Sequence, residues 1–285
     1  MVLTYTTTKV LIPHPREKDI EFTGILEHVT PASAGDYNPD RRMALIVHGI
    51  LGHKDYLYQK RLARRLPFHS FRFDFRGNHE SSGESGSLLT DVADLQIIYD
   101  YVTKKLGYVV DVIVAHSRGA NTSFLWMCTS PDAAGVTRLV SVSSRFAFMK
   151  IRDTLNEEQK KMLSETGYYY MKGLVAGKRS VVQIPGSDHE INLAEEAINF
   201  PATTHVLTVH GLADLNAPAY EAVLFARTVE ARTPGTHNLC FVENADHNFV
   251  GCTEVIIGVI LEWLAVGDRK ELKTGLWHIG LMTKL

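Results

Sequence analysis

Short apolar segments alternate with amphipathic helical segments along most of this chain, and this alternation restricts the fold more than any other feature. Continuous apolar runs such as Met43–Gly49 and Val109–Ala115 are typical of strands buried on both faces. Between them lie segments with apolar residues at helical spacing, of which Leu88–Gly107 is the clearest. Strands that alternate with helices predict an α/β fold with a mostly parallel sheet covered on both faces. Two opening strands, TTKVLIP and EFTGILEHV, predict an antiparallel pair before it.

One stretch, roughly residues 145–204, interrupts this alternation. It is more polar than the rest, and it contains a helical segment rich in glutamate and lysine (NEEQKKMLSE) and a run of tyrosines (GYYYMKG). Because it is far longer than an ordinary connection, we interpret it as an insertion over one end of the sheet, either structured or disordered. The predicted organisation is a core of residues 1–144 and 205–265, a cap of residues 145–204, and a tail of residues 266–285.

Composition and charge argue against several classes of protein. The 285 residues are 45% hydrophobic and 22% charged, and the formal net charge is −2. These values are ordinary for a globular protein and give no reason to expect nucleic acid or an anionic membrane as a partner. The three cysteines are far apart and form no C-x-x-C pair, and the histidines show no paired ligand spacing. We therefore expect neither a disulfide framework nor a metal site.

The sequence also suggests a cellular location. The N-terminus lacks a basic segment followed by a long apolar one, as a signal peptide would have. The longest apolar segment, Val255–Gly267, is too short to span a bilayer and contains Glu262, so we expect a buried C-terminal helix and no transmembrane segment. Sparse cysteine use is typical of a reducing compartment, which predicts a cytoplasmic protein. The C-terminal Thr-Lys-Leu differs by one residue from the peroxisomal signal Ser-Lys-Leu, so a peroxisomal location is the alternative.

A polar serine, Ser117, follows the buried strand Val109–Ala115 and precedes a helical segment. A strand that turns sharply at a serine and continues as a helix is a nucleophile elbow, which needs small residues two positions before and after the serine. Ala115 and Gly119 meet that need. The N–H of Arg118 would lie at the helix N-terminus, where it favours a developing oxyanion. The alternative is a serine that only caps the helix.

A serine hydroxyl becomes a strong nucleophile when a base takes its proton and an acid orients that base. In a fold of this kind the chain order is serine, acid, histidine, with the last two just beyond later strands. Asp214 follows the apolar strand in VLTVHGLADLNAP, and His247 follows the last strand in FVENADHNF. We predict these two as acid and base, in preference to Asp246. The alternatives are a turn aspartate and a surface-loop histidine.

The loop after the third strand, LIVHGILGHKD, is expected to supply a second oxyanion donor. Gly49 lets the backbone turn, and Ile50 would offer its N–H, while His48 is expected to form structural hydrogen bonds. In the next such loop, DFRGNHESSGES, we expect three residues to shape the floor of the site without reacting, namely Asp74, Arg76 and Gly77.

These motifs, in this order from about Leu45 to Leu264, resemble the α/β-hydrolase superfamily. The pair VHGILGHKD and DFRGNHESSGES is most similar to the serine aminopeptidase-like branch, which includes monoacylglycerol lipases and feruloyl esterases. The resemblance implies an eight-stranded, mostly parallel sheet with helices on both faces and a small cap after the sixth strand that shapes the acyl pocket. Ala115, where the pattern usually has glycine, departs from it, and the tail after Ala265 lies outside it.

By that resemblance Ser117 is the nucleophile, His247 the base, Asp214 the orienting acid, and Ile50 and Arg118 the oxyanion donors. The expected activity is that of a serine hydrolase which needs no cofactor and cleaves a small-molecule ester of a small or medium acyl group. A serine in place of an aspartate nucleophile argues against epoxide hydrolase or haloalkane dehalogenase chemistry. Cap tyrosines would set the acyl size or merely pack, namely Tyr168, Tyr169 and Tyr170.

Other activities of the same three residues stay open at this point. They include cleavage of peptides, thioesters, lactones or C–C bonds, and acyl transfer; a binding protein without catalysis is a further alternative. A peptidase of this branch often carries acidic cap residues for the substrate N-terminus, but Glu195 and Glu196 resemble a solvated helix start. A homodimer is also an open alternative, because an apolar edge of the cap could form its interface.

Overall fold

The computed structural model describes residues 3–31, 41–146, 154–175 and 177–278. Its strands are β1 (Leu3–Pro13), β2 (Glu21–Pro31), β3 (Arg42–Val47), β4 (His69–Phe73), β5 (Val109–His116), β6 (Arg138–Val142), β7 (Tyr168–Val175), β8 (Lys178–Pro185), β9 (His205–Gly211), β10 (His237–Val242) and β11 (Gly275–Leu276). Its α-helices are α1 (Gln59–Ala63), α2 (Leu88–Asp100), α3 (Arg118–Thr129), α4 (Glu157–Thr166), α5 (Leu193–Glu196), α6 (Tyr220–Val229) and α7 (Thr253–Asp268).

The main sheet confirms the predicted α/β architecture. In the described part of the chain it has nine strands in the order β1-β2-β4-β3-β5-β6-β9-β10-β11. β1 pairs antiparallel with β2, and β2 with β4, whereas every later pairing is parallel. Since parallel strands end at the same edge of a sheet, the segments after β5, β9 and β10 meet there.

The strand count exceeds the expected eight by the short strand β11, which comes from the predicted tail. Gly275 and Leu276 pair in parallel with Asn238 and Leu239 of β10. The Asn238 side-chain amide also donates to the Lys273 carbonyl at 2.7 Å, which fixes the chain just before β11. Part of the tail therefore extends the sheet. The C-terminal tripeptide lies outside the described residues.

Helices cover both faces of the sheet, as the alternating pattern predicts. On one face α2, α3 and α6 bury residues such as Leu95, Phe124 and Phe225 in one apolar cluster. On the other face α1 and α7 bury Leu62 and Ile260 in a second cluster. The predicted helix over residues 88–107 changes its winding, because α2 passes into a π-helical turn at Tyr101–Lys105. Among the described residues, no helix has both the length and the apolar character that crossing a bilayer requires.

The described part of the insertion after β6 is structured. Helix α4 begins with a capping box formed by Asn156 and Gln159 and ends at Gly167, whose φ is 79°. The antiparallel hairpin of β7 and β8 follows, and then a 3₁₀ turn at Gly186–Glu190. A small apolar cluster of this segment packs against the loop after β3 through Ile50 and Leu51. The boundaries between core, cap and tail stay predictions.

The C-terminal helix α7 should contribute strongly to stability because its apolar face is fully buried. Ile260→Ala removes buried methylene groups and leaves a cavity, so we expect the free energy of unfolding to fall by about 2–5 kcal/mol. The matched control is Val255→Ala on the same helix, which is 37% exposed and should change the free energy by about 0.5 kcal/mol. Urea unfolding measures both, and equal losses would contradict this packing.

Candidate active site

The turn between β5 and α3 has the geometry of the predicted elbow. Ser117 has φ 52° and ψ −123°, a conformation that non-glycine residues rarely adopt. Its N–H donates to the Val142 carbonyl of β6 at 2.8 Å, which holds the turn against the sheet. A Cβ on Gly119 would lie 2.2 Å from the His48 carbonyl oxygen, so only glycine fits there. The Ser117 side chain makes no capping hydrogen bond to α3, which argues against the alternative of a simple helix cap.

Three predicted residues from distant parts of the chain meet at this turn. Ser117 Oγ lies 2.9 Å from His247 Nε2, and His247 Nδ1 lies 2.8 Å from Asp214 Oδ2. Asp246, the less favoured acid, instead accepts the backbone N–H groups of Asn248 at 3.0 Å and Val250 at 2.9 Å. Its carboxylate therefore shapes the loop that carries His247.

The Asp214 side chain is buried and fully engaged. Its Oδ1 accepts the N–H groups of Asn216 and Ala217, each at 2.8 Å, and its Oδ2 also lies 3.4 Å from His210 Nε2. Burial by itself would raise the pKa of Asp214, but hydrogen bonds from His210 and His247 hold that pKa well below its usual range. An ionised Asp214 favours the His247 tautomer with Nδ1–H toward the carboxylate, so that Nε2 faces Ser117 Oγ as a hydrogen-bond acceptor.

Two residues that sequence reasoning missed hold the backbone of His247. The His247 carbonyl lies 2.9 Å from His116 Nε2 and accepts the Ser143 hydroxyl at 3.0 Å. Burial lowers the pKa of His116 to about 3, so this ring stays neutral while it donates. These contacts join β5 and β6 to the loop after β10. Nothing in the local sequence around His116 or Ser143 signals a partner so far along the chain.

The loop after β3 packs directly on the elbow. His48 is buried and hydrogen-bonds on both ring nitrogens, to the Gly49 carbonyl at 2.7 Å and the Phe75 N–H at 3.0 Å. Burial lowers the pKa of His48, so it stays neutral in this structural role. A Cβ on Gly49 would lie 2.9 Å from Ser117 Cβ. The next residue, Ile50, lines the same cavity as Ser117 and Arg118.

Of the predicted floor residues after β4, Asp74 and Arg76 form ion pairs that join this loop to the loop after β3 and to α2. Asp74 accepts the Lys54 N–H at 2.6 Å and the Lys54 ammonium at 2.7 Å, and Arg76 binds Asp94 at 2.6 Å. Gly77 has φ 65°, which lets the chain turn directly after Arg76. These contacts fix the two loops next to the elbow.

One group in the described part of the chain has ligand atoms close enough to hold a metal ion, namely His53, Asp74 and His79, within 4.8 Å of one another. The Lys54 ammonium already contacts Asp74 at 2.7 Å and lies 3.3 Å from His79 Nδ1. Since that ammonium is a buried positive charge among the same atoms, it opposes the binding of a cation.

The side chain of Arg118, next to Ser117, connects the elbow to the insertion. Its Nε lies 2.6 Å from Asp91 of α2, and its Nη1 lies 2.8 Å from Asp188 in the 3₁₀ turn. Asp188 also accepts the N–H of Leu88 at 2.9 Å, at the start of α2. Burial raises the pKa of Asp91 to about 6, although Arg118 opposes that shift. The turn at Gly186–Glu190 is thus attached to the sheet core through buried charges.

A cavity of about 670 Å³ opens beside Ser117 and His247, between the core and the insertion. Of the predicted tyrosines, Tyr169 lines this cavity, and its hydroxyl oxygen lies 3.3 Å from His189 Nε2. Tyr168 and Tyr170 pack edge-to-face against each other on the other face of β7, with ring centroids 5.5 Å apart. Glu195 and Glu196 lie on α5 outside the cavity lining, as expected of a solvated helix start.

Comparison with known proteins identifies the family. A sequence model described as the alpha/beta hydrolase fold matches residues 45–183. The chain belongs to the α/β-hydrolase family. An uncharacterised protein of Saccharomyces cerevisiae, YDL057W, is 30% identical over 236 residues, which is 74% of this chain and 70% of the yeast protein.

Solved structures of this α/β-hydrolase family share the fold. Est1E from Butyrivibrio proteoclasticus, determined with ferulic acid bound, has a TM-score of 0.69 at 18% identity and covers 88% of this chain and 96% of its own. Alpha/beta hydrolase domain-containing protein 10 from mouse has a TM-score of 0.59 at 14% identity, with 90% and 98% covered. These two structures show that the fold is shared.

Because hydrogen bonds hold the pKa of Asp214 below its usual range, the ionised carboxylate stabilises the folded protein above about pH 4. This contribution is lost as the pH falls through the lowered pKa. We therefore expect Asp214→Asn to reduce the free energy of unfolding at pH 7, and the difference from wild type to narrow progressively as the pH falls from about pH 5 toward pH 2. Urea unfolding across this range is the measurement, and a difference independent of pH would contradict it.

The contact between Arg118 and Asp188 should hold the 3₁₀ turn against the core. Asp188→Asn keeps the shape but removes the charge, so we expect the free energy of unfolding to fall by about 1–3 kcal/mol and amide exchange to accelerate at Gly186–Glu190. Hydrogen-exchange mass spectrometry and urea unfolding measure the two effects. The matched control is Asp19→Asn, an exposed aspartate. Equal behaviour of the two variants would show that the charge pair does not anchor the turn.

Proposed function

We propose that this α/β-hydrolase is a serine esterase that cleaves the carboxylic ester of a small or medium acyl group through an acyl-enzyme intermediate. The observation that carries the proposal is the chain of contacts from Ser117 Oγ to His247 Nε2 at 2.9 Å and from His247 Nδ1 to Asp214 Oδ2 at 2.8 Å. A serine on a strained turn, hydrogen-bonded to a histidine that a buried carboxylate orients, is the arrangement that activates a hydroxyl nucleophile.

In the first half of the reaction the Ser117 oxygen attacks the ester carbonyl carbon while its proton passes to His247 Nε2. The carbonyl oxygen becomes an oxyanion, which we assign to the backbone N–H groups of Ile50 and Arg118 because both residues line the cavity beside Ser117. His247 then gives the proton to the leaving alcohol oxygen as the C–O bond breaks. The acyl group stays on Ser117 as an ester.

In the second half water replaces the alcohol. His247 takes a proton from a water molecule while the oxygen of that water attacks the acyl carbon. The backbone N–H groups of Ile50 and Arg118 bind the second oxyanion. Collapse of this intermediate breaks the bond to Ser117, whose oxygen recovers the proton from His247, and the carboxylic acid leaves. Asp214 stays ionised throughout and stabilises the imidazolium, in keeping with its lowered pKa.

The size and lining of the cavity support an acyl group of moderate size. Its volume is about 670 Å³, and much of the lining is apolar, including Leu51, Leu155, Met171 and Ile184. Pockets of this size accept small organic ligands. The similarity to Est1E, which has been solved with ferulic acid, agrees with an acid of that size.

Peptides, thioesters, lactones and C–C bonds are alternative substrates for the same three residues, and acyl transfer would follow if the site excluded water. None of these has an observation of its own here. A peptidase would use acidic cap residues to bind the N-terminus of its substrate, but the candidates Glu195 and Glu196 lie outside the cavity lining. The homodimer and the cellular location suggested by the sequence stay predictions.

The test measures release of p-nitrophenol from its acetate, butyrate, octanoate and laurate esters, together with labelling by a fluorophosphonate. We expect the wild type to hydrolyse the shorter esters and to be labelled. Ser117→Ala should lower kcat by at least about 10³-fold and abolish labelling, because the nucleophile is gone.

The matched control is Ser164→Ala, which removes an exposed hydroxyl on α4 and should behave as wild type. Labelling without ester turnover would favour the alternative substrates. A folded wild type that neither turns over nor is labelled would overturn the proposal and favour a binding protein.

A further inference from the structure

We propose that the natural ester carries a second, anionic oxygen group, and that Arg145 binds this group in the cavity beside Ser117. The inference deepens the proposed function and rests on it, since it names the class of ester that the same cavity accepts. It is carried by the charge and hydrogen bonding of one arginine that the hydrolytic mechanism does not use.

Arg145 lies shortly after β6, where the chain leaves the sheet, and lines the cavity together with Ser117 and His247. Its Nη1 donates to the Asn216 carbonyl at 3.1 Å, and its Nη2 lies 3.5 Å from Thr154 Oγ1, a long contact. Its Nε is buried and has no hydrogen-bond partner among the residues that the structure describes. The guanidinium is therefore held in place, but not all of its N–H donors have a hydrogen-bond acceptor.

Arg118, which also lines the cavity, differs from Arg145 in having counter-charges. Arg118 meets two carboxylates, Asp91 and Asp188, at 2.6 and 2.8 Å, so its charge is neutralised. Within the described ranges, the Arg145 guanidinium hydrogen-bonds only to the neutral oxygens of Asn216 and Thr154 and forms no ion pair. A partly buried charge without a counter-charge is costly, and an anionic ligand would both neutralise it and occupy the free Nε donor.

The backbone around Arg145 is anchored to the elements that carry the reacting groups. Its carbonyl accepts the Asn121 side-chain amide of α3 at 2.7 Å, and Asn121 in turn accepts the Ser144 hydroxyl at 2.6 Å. Two residues earlier, Ser143 holds the His247 carbonyl at 3.0 Å. Asn216, which Arg145 contacts, follows Asp214 by two residues. An anion on Arg145 would thus be bound at a fixed place relative to His247 and Asp214.

Arginine suits this task because its planar guanidinium presents several donors to a carboxylate or phosphate. The geometry does not require the anion to sit on the acyl side or on the alcohol side of the ester. The shared chemistry is a carboxylate-like group on a small ester, and the experiment has one arm for each side.

The acyl arm compares the p-nitrophenyl half-ester of glutaric acid with the p-nitrophenyl ester of glutaramic acid, in which a neutral amide replaces the carboxylate. The alcohol arm compares 4-carboxyphenyl butyrate with 4-carbamoylphenyl butyrate. In each arm the quantity is the ratio of kcat/KM for the anionic ester to that for its neutral counterpart. Each variant is its own reference, because a general loss of activity cancels in the ratio.

In at least one arm we expect the wild type to prefer the anionic ester. Arg145→Gln should lower that ratio by about tenfold to hundredfold, the loss of one hydrogen-bonded charge pair, and Arg145→Lys should retain part of it. The matched control is Arg227→Gln, which removes the same charge from an exposed position on α6 and should leave the ratio unchanged. A ratio that is equal in wild type and Arg145→Gln in both arms would overturn the inference while the esterase stands.

A binding measurement separates this inference from the esterase proposal. Calorimetric titration of Ser117→Ala with glutarate, and with glutaramide as the neutral comparison, reports on the cavity without any hydrolysis. Saturable binding of glutarate to Ser117→Ala that is lost in the double variant carrying both Ser117→Ala and Arg145→Gln would support the anion site even if no ester is hydrolysed. Equal or absent binding of the two compounds would overturn it.

Discussion

The strained turn at Ser117 is the constraint on which the rest of this structure depends. A non-glycine residue at φ 52° costs on the order of 1–3 kcal/mol, and such a conformation persists only where its surroundings fix it. Here the Ser117 N–H is bound by β6, and Gly119 lets α3 approach the His48 carbonyl closely. The sheet and the loop after β3 therefore hold the serine hydroxyl out of the core and toward His247.

Placement of the His247 ring requires as much structure as placement of the Ser117 hydroxyl. His247 lies on a loop, yet its carbonyl is held by His116 and Ser143 and its ring by Asp214. These partners come from β5, from the end of β6 and from the loop after β9. Because each lies at the end of, or in the loop after, a different parallel strand, the position of the imidazole depends on the order of strands in the sheet as well as on its own loop.

Sequence patterns predicted the features that are local. The elbow, the positions of Asp214 and His247 after their strands, the structural part played by His48 and the helices on both faces all follow from short motifs and periodicity. The contacts of His116 and Ser143 with His247, and those of Arg118 with Asp91 and Asp188, join residues far apart in the chain, and no pattern of residue types marks such partners. The pairing of β11 with β10 was missed for a related reason, since two residues are too short to give a strand signal.

The ion pairs of Arg118 have a consequence for how this chain can diverge. Inserted segments over an α/β sheet are often regarded as exchangeable parts that change specificity while the core is kept. In this protein Arg118, the residue that follows Ser117, also binds Asp188 of the insertion, and Asp188 accepts the N–H of the first residue of α2. Replacing the insertion by one without an aspartate at this place would leave the buried Arg118 guanidinium short of one counter-charge directly beside Ser117. Insertion and elbow must therefore change together.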